Sequence, residues 1–250
     1  MKISVITATF NSEAGLSATI ESFISQSYPD KELIVIDAGS NDKTLDIIRE
    51  YQKHISTWIS EPDKGIYDAL NKGITLSKGD VIGFLHSGDR FPNLKILDRI
   101  AEKFTNHSVS AVYGDLNYVD PNNANKIIRH WKSGEYKSNL IYKGWMPPHP
   151  TLYMKKDVYT KHGIFDLSFK IAADYDLMLR VLKDTTIEVA YLPEVLVDME
   201  TGGISNGRFK NIIRKSWEDY LGLKKNGIPF PSLVLGRKNL QKIPQFFSKK

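Results

Sequence analysis

What most restricts the fold of this chain is a rhythm in its first 90 residues. Short apolar runs at 3–8 (ISVITA), 32–36 (ELIVI) and 81–85 (VIGFL), and a further strand at 56–60, alternate with segments at 14–27, 43–51 and 66–76 of helical character. In 14–27 the apolar residues Leu16, Ile20, Phe23 and Ile24 recur at helical spacing, and Pro29 stands just past the end, where a helix cannot continue. Runs that are apolar throughout belong to strands buried on both faces. Alternating with helices at about 25-residue intervals, they predict an α/β fold, an open, mostly parallel twisted sheet flanked by helices. Right-handed crossovers put every strand's C-terminal end on one edge, and ligands of such sheets bind outside that edge.

After Asp89 the rhythm changes. The pattern predicts a helix at 94–104, a strand at 110–113, an aperiodic polar and aromatic stretch at 115–143, and a strand at 151–154. Helices at 156–162 and 175–183, a strand at 186–191 and an amphipathic helix at 208–223 follow. We expect one domain over 1–206, with halves 1–90 and 91–206, and a basic helical extension over 207–250. Charge supports that division. The net charge is +5, yet residues 207–250 hold 11 Lys/Arg against 2 Asp/Glu, which leaves the body slightly acidic. Such a tail suits a membrane surface or nucleic acid, the plainer reading being a solvated helix face. With no cysteine, disulfide frameworks, Cys-ligated zinc and cysteine nucleophiles are excluded. No apolar run reaches the roughly 18 residues of a membrane-spanning helix. Asn11, Ser12 and Glu13 follow the opening MKISVITATF where a signal peptide would have its cleavage site, so a cytoplasmic location is expected.

Three strand ends deliver polar groups: Thr7 to Asn11, then Asp37-Ala38-Gly39-Ser40-Asn41-Asp42, then His86-Ser87-Gly88-Asp89. Asp37 is placed to accept hydrogen bonds from a nucleoside; alternatively Asp37, Ser40 and Asp42 form a turn and cap the next helix. Asp63, Lys64 and Asp68 lie in the loop and first turn after the third strand. There Lys64 suits a phosphate, the alternative being a salt-bridged loop with Asp68 at the helix N-terminus. His149 stands between two prolines next to Trp145, and both are candidates for a sugar or acceptor, although the aromatic face also suits core packing. Asp174 and Asp176, two apart at a helix start, cannot face one site. Residues 202–205 (GGIS) read as a loop that closes over a bound donor.

The segments ISVITATFN, ELIVIDAGSNDKT, SEPDKGIYDALNKGI, GDVIGFLHSGD, MPPHPTLYMKKDVYTKHGIFD and AADYDLMLR, in this order, resemble the inverting glycosyltransferases of family 2. The resemblance implies the GT-A (nucleotide-diphospho-sugar transferase) fold and transfer of a sugar, most simply from a UDP-sugar, to a hydroxyl. It makes Thr7, Asn11 and Asp37 contacts to uracil and ribose, and puts Ser40, Asp63, Lys64, Asp68, Ser87 and Gly88 on the donor side. Asp89 matches the last acid of the family's Asp-x-Asp signature, which binds a divalent cation (Mg²⁺ or Mn²⁺) bridging the donor phosphates. Asp174 matches the acid that serves as general base. Three positions depart from the pattern: Ser87 and Ala173 stand where relatives have acids, and Leu70 where many have Arg. The implied acceptor is a glycan, lipid-carried in surface polysaccharide or lipopolysaccharide synthesis.

On that reading the enzyme is peripheral on the inner face of the membrane. Arg208, Lys210, Arg214, Lys215, Lys224 and Lys225 would meet anionic headgroups, with Trp217, Tyr220, Leu221 and Leu223 as apolar surface. No nucleic-acid partner is expected. The alternative is a non-catalytic nucleotide- or glycan-binding module on the same fold, which Ser87 and Ala173 would suit. A dehydrogenase is disfavoured, because no Gly-x-Gly-x-x-Gly follows the first strand.

Overall fold

The computed structural model describes residues 1–201 and 209–240, built around one eight-stranded sheet. The first half follows the expected alternation: β1 (Ile3–Thr9), α1 (Leu16–Ile24), β2 (Lys31–Asp37), α2 (Thr44–Glu50), β3 (Thr57–Ser60), α3 (Ile66–Leu76) and β4 (Val81–Phe84). Then come α4 (Ile96–Lys103), β5 (Val109–Asp120), β6 (Asn123–Trp131), β7 (Tyr153–Lys155), α5 (Lys156–His162), α6 (Ala173–Leu182), β8 (Glu188–Glu200), α7 (Phe209–Lys225) and α8 (Pro231–Leu240). The strand order is β3-β2-β1-β4-β7-β5-β6, with β8 beside β5. The first four strands pair in parallel, and β7 runs antiparallel to both β4 and β5, joining the two halves.

The apolar runs of β1, β2 and β4 are continuous because these strands bury both faces, whereas β3, at the edge, is only partly buried. In β1, Ile3 and Val5 pack with Leu16 and Ile20 of α1 and Ile96 and Ile100 of α4. Ile6 and Ala8 point the other way, against Leu70 and Ile74 of α3 and the apolar face of α6. The helix α3 lies so close to β1 that a Cβ on Gly73 would fall 2.4 Å from Ile6 Cγ2. Truncating Ile6 to Ala would leave a cavity worth about 2–5 kcal/mol.

Four elements differ from expectation. The stretch 115–143 is not irregular throughout, because β5 continues to Asp120 and turns into β6. Asp120 accepts the Asn122 N–H at 2.9 Å in that turn, and β6 is an edge strand whose polar residues hide any alternation. β8 runs to Glu200, well past the predicted end at 191. Pro193 lies where the pairing with β5 slips between Tyr113 and Asp115, and an irregularity of that kind tolerates a proline. Helix α6 starts at Ala173, which puts Asp174 in its first turn. Helix α8 was not anticipated.

The C-terminal helices are not merely appended. Leu223, Ile228 and Val234 join the core cluster that α6 builds. Asp219 is buried and ion-paired with Lys238 at 2.8 Å and Lys215 at 3.3 Å. Leu223, expected on the surface, is buried, because it lies on the face of α7 opposite Trp217 and Leu221. The predicted loop 202–205 and Arg208 lie outside the described residues. Among the described residues, no helix is long and apolar enough to cross a membrane.

Candidate active site

Register brings Thr9, Asp37 and Ser60 side by side at the C-terminal ends of β1, β2 and β3. The buried Asp37 carboxylate accepts the N–H groups of Gly39 (3.1 Å) and Ser40 (3.0 Å) and the hydroxyls of Ser60 (2.6 Å) and Ser40. Asp37 thus builds the turn after β2. Asn11, at φ 47°, locks the neighbouring loop to it: its N–H donates to Ser40 Oγ (2.8 Å), and its Oδ1 accepts from Asn41 N–H (3.0 Å). Thr7 is a correction to the sequence reading. Strand alternation turns it inward, fully buried, and its hydroxyl donates to the Leu85 carbonyl at 2.7 Å, tying β1 to the end of β4 instead of facing a nucleoside.

The loop after β4 contrasts with this rim. Gly88, at φ 93°, lets the backbone turn sharply, and Gly15 of the β1–α1 loop abuts it so closely that a Cβ there would lie 2.9 Å from Gly88 Cα. Thr19 Oγ1 holds the loop through the Gly88 N–H (3.0 Å) and the Asp89 carbonyl (2.9 Å). Yet Asp89, only 4% exposed, has a buried Oδ2 with no protein partner, and so does Ser87 Oγ. Burial holds the Asp89 carboxyl well above the ordinary carboxylate range, and the Glu200 charge adds to that. Glu200, at the end of β8, pairs with Arg90 at 2.7 Å. Sequence reasoning missed it, because β8 was expected to stop earlier.

At the start of α3, Asp68 accepts the Lys64 N–H at 3.0 Å, and the Lys64 side chain is exposed. Asp63 pairs with Lys72, which also reaches Glu61 at 2.7 Å. Here the salt-bridged-loop reading holds for Asp63 and Asp68. Tyr67, in the same first turn, was overlooked. Its hydroxyl lies 2.7 Å from the Ile171 carbonyl and 3.0 Å from Asp174 Oδ1. Burial first, then the Asp174 charge, pushes the phenol up, so it stays a hydrogen-bond donor.

Asp174 is partly exposed, whereas Asp176 is fully buried and held by Arg180 (3.0 Å), Lys225 (3.3 Å) and Asn226 (3.0 Å). The two acids do face different ways. Beside Asp174, the rings of Tyr67, Phe165, Phe84, His149 and His86 form a chain with neighbouring centroids 5.1–6.0 Å apart. His86 Nδ1 and His149 Nε2 are buried without protein partners. Burial depresses both imidazoles, that of His86 to about 3, against the opposing pull of Asp174. Trp145 is the second correction. Its ring packs on Tyr113 and Tyr136, and its indole N–H donates to the Ser133 carbonyl at 3.0 Å, so it is spent on the core rather than on a ligand.

Contacts lead from Asp89 to Asp174: the Asp89 N–H donates to the His86 carbonyl at 2.9 Å, and His86 ends the ring chain whose other end, Tyr67, reaches Asp174. The Asp37 turn joins the same edge through the β1–α1 loop, which contacts it at Asn11 and meets Gly88 at Gly15.

A parallel half-sheet, acids at its C-terminal edge and a second, mixed half carrying a helix-borne acid define a GT-A-type nucleotide-diphospho-sugar transferase fold. Comparison with solved structures agrees. The chain matches Staphylococcus aureus TarS 1–349 in complex with UDP-GlcNAc at TM-score 0.67, with 17% identity, covering 98% of this chain and 78% of that one. It matches the mannosyltransferase PcManGT of Pyrobaculum calidifontis, in complex with GDP-Man and Mn²⁺, at TM-score 0.68, with 15% identity, covering 99% and 73%. Residues 4–169 match the Glycosyl transferase family 2 profile, and the chain belongs to that family. An uncharacterized glycosyltransferase of Mycobacterium tuberculosis is 33% identical over 82% of this chain and 78% of its own length. A PGL/p-HBAD biosynthesis glycosyltransferase of Mycobacterium bovis is 28% identical over 81% and 78%.

Proposed function

We propose that this glycosyltransferase moves a sugar from a UDP-sugar to a hydroxyl of a glycan or lipid-linked glycan, with inversion. The observation that carries this reading is the run of contacts at the strand edge from Asp89, with its unpartnered buried oxygen, through His86 and the ring chain to Tyr67 and Asp174. Support comes from the TarS complex with UDP-GlcNAc and from a relative named for PGL/p-HBAD biosynthesis.

The chemistry needs one base. Asp174 takes the proton of the acceptor hydroxyl as that oxygen bonds the anomeric carbon. The bond from that carbon to the diphosphate oxygen breaks on the opposite face, and the diphosphate leaves without an acid's help. Asp37 and Asn11 keep the nucleoside side of the edge in shape. A divalent cation fits at Asp89, whose Oδ2 is buried and unpartnered, with the Glu200 carboxylate nearby. Among the described residues no three ligand side chains gather, so donor oxygens and water would complete its shell, as Mg²⁺ commonly allows. When bound, it would neutralise charge developing on the leaving diphosphate.

On the acceptor side, α7 exposes Ile213, Trp217 and Leu221 at one-turn spacing, and we read this face as resting on anionic lipid. Arg214, Lys215 and Lys225 contribute less than expected, because each is ion-paired within the fold. Trp217→Glu is expected to lower co-sedimentation with anionic vesicles; wild-type sedimentation no better than with neutral vesicles would refute the docking.

A thermal-shift panel of UDP-, GDP-, TDP- and CMP-sugars, with and without Mn²⁺ or Mg²⁺, tests the donor, since a ligand of the native state raises Tm. The expected result is the largest shift with a UDP-sugar. A product assay then compares wild type with Asp174→Asn, which should bind donor but not transfer. Undiminished transfer by that variant would overturn the role of Asp174, and donor binding by a wild type that never transfers would favour a binding module.

A further inference from the structure

Helix α6 begins without a side-chain cap of its own, since its N-cap is Ala172 and its first residue Ala173. Neither has a side-chain acceptor for the N–H groups of a helix start. A carboxylate from α7 instead holds the backbone that leads into the helix, up to the N-cap residue. Glu218 Oε2 takes the N–H groups of Lys170 (2.9 Å), Ile171 (2.7 Å) and Ala172 (3.1 Å). Glu218 is 5% exposed, and its other oxygen accepts from Arg214 Nε at 2.9 Å. On the opposite side of the same tripeptide, Tyr67 reaches both the Ile171 carbonyl and Asp174. The turn that presents Asp174 is thus gripped by its N–H groups from α7 and by its carbonyl from α3.

Resting on the reading of Asp174 as the base, we propose that Glu218 is its positioning residue, setting from the C-terminal helix where the Asp174 carboxylate stands. Glu218 does not touch the reacting atoms. It fixes the backbone two residues before the base, and a base must stand within hydrogen-bond reach of the acceptor hydroxyl. Burial opposes the Glu218 charge, but the three N–H groups and Arg214 outweigh it and hold the carboxyl below its ordinary range, so the clamp is ionised at neutral pH. A clamp serving stability alone would be indifferent to which turn it held. This one holds the turn that carries the partly exposed Asp174, while the neighbouring Asp219 is spent on Lys215 and Lys238.

The test compares Glu218→Ala, Glu218→Gln and Arg214→Ala in the full chain, each well below its own Tm, by transfer kinetics and by amide hydrogen exchange. Glu218→Ala should lower kcat about tenfold to a hundredfold with the donor KM unchanged, the loss expected of a displaced catalytic group. Glu218→Gln retains an acceptor oxygen and should recover most of kcat. Arg214→Ala, which removes one partner of the clamp but leaves its three N–H bonds, should cost less in kcat than Glu218→Ala. Exchange at Ile171 and Ala172 should quicken in Glu218→Ala; this readout does not depend on what Asp174 does. Unchanged exchange, unchanged kcat, or kcat and donor KM shifting in proportion would overturn the proposal. If Asp174→Asn transfers normally, the base assignment falls and the proposal with it. If Asp174→Asn is inactive and Glu218→Ala behaves as wild type, the positioning role alone falls.

Discussion

Two stretches of the same strand edge treat their polar atoms in opposite ways. Around β1 and β2 most polar atoms are answered from within, Asp37 by four donors and Asn11 by Ser40 and Asn41, the buried Thr9 hydroxyl being an exception. After β4 and before β7, Ser87 Oγ, Asp89 Oδ2, His86 Nδ1 and His149 Nε2 are buried with no partner from the protein. Buried polar groups in native proteins are nearly always satisfied, and these four lie together at the strand edge, unlike the open hydroxyls of Tyr153 and Tyr159 within the core. On the proposed function, the rim around Asp37 is largely finished by folding, and the stretch from His86 to Asp89, with His149, would be finished by a ligand. Substitutions in the first should damage the fold, and those in the second should damage ligand response or chemistry.

The sharpest expected break is Asp174→Asn, on the ligand-completed side. Transfer should fall about 10²- to 10⁴-fold, the usual contribution of a general base, with Tm nearly unchanged. Asp37→Asn should do the reverse. An amide in place of that carboxylate turns a donor toward the N–H groups of Gly39 and Ser40, and each buried unpaired group costs about 1–3 kcal/mol. We expect a loss of about 2–4 kcal/mol in urea unfolding. A wild-type midpoint for Asp37→Asn would dissolve the distinction between the two stretches.

Asp89→Asn follows in size. Because burial raises this carboxyl in the folded state, the native chain holds the proton more tightly than the unfolded one. Its contribution to stability therefore falls as pH rises above the ordinary carboxylate value of 3.8, and at neutral pH it is destabilising when no cation is present. The variant should be as stable as wild type or slightly more so without metal, and should lose the Mn²⁺-dependent part of the UDP-sugar thermal shift. A variant that keeps the full Mn²⁺ response would place the cation elsewhere.

The difference between the two stretches also explains what could be read in advance. Strands β1, β2 and β4 were legible because burial on both faces makes their sequences mostly apolar. The Asp37 turn was legible for a similar reason: its partners lie within a few residues, apart from Ser60. The other side is assembled from afar. Tyr67 meets Asp174 across 107 residues, and Glu218 meets Ile171 across 47. No local pattern encodes such contacts. A faint signal existed nonetheless. Glu218 and Asp219 are the two acids among 11 basic residues in 207–250, and both are buried. An uncapped Ala-Ala helix start was the complementary clue. Trp145 misled for the opposite reason, since an aromatic near a predicted site looks the same in sequence whether it faces a sugar or a core.

The smallest predicted effect isolates the open side without using its chemistry. His86 titrates at about 3 when folded and at 6.5 when unperturbed, and burial is the main cause. Between those values the unfolded chain binds more protons than the folded one, so stability rises with pH across the window and is lost as acid is added. The slope approaches 1.4 kcal/mol per pH unit, or about 2 kcal/mol between pH 6.5 and 5. His86→Phe keeps an aromatic ring beside Phe84 and His149 but removes the titration. The difference in unfolding free energy between wild type and this variant should therefore shrink in wild type's disfavour as pH drops from 7 to 5. Other titrating groups, His149 included, remain in both proteins and largely cancel in that difference. A difference that stays flat with pH would mean that His86 meets water or a partner when folded, and that this part of the edge is not left open after all.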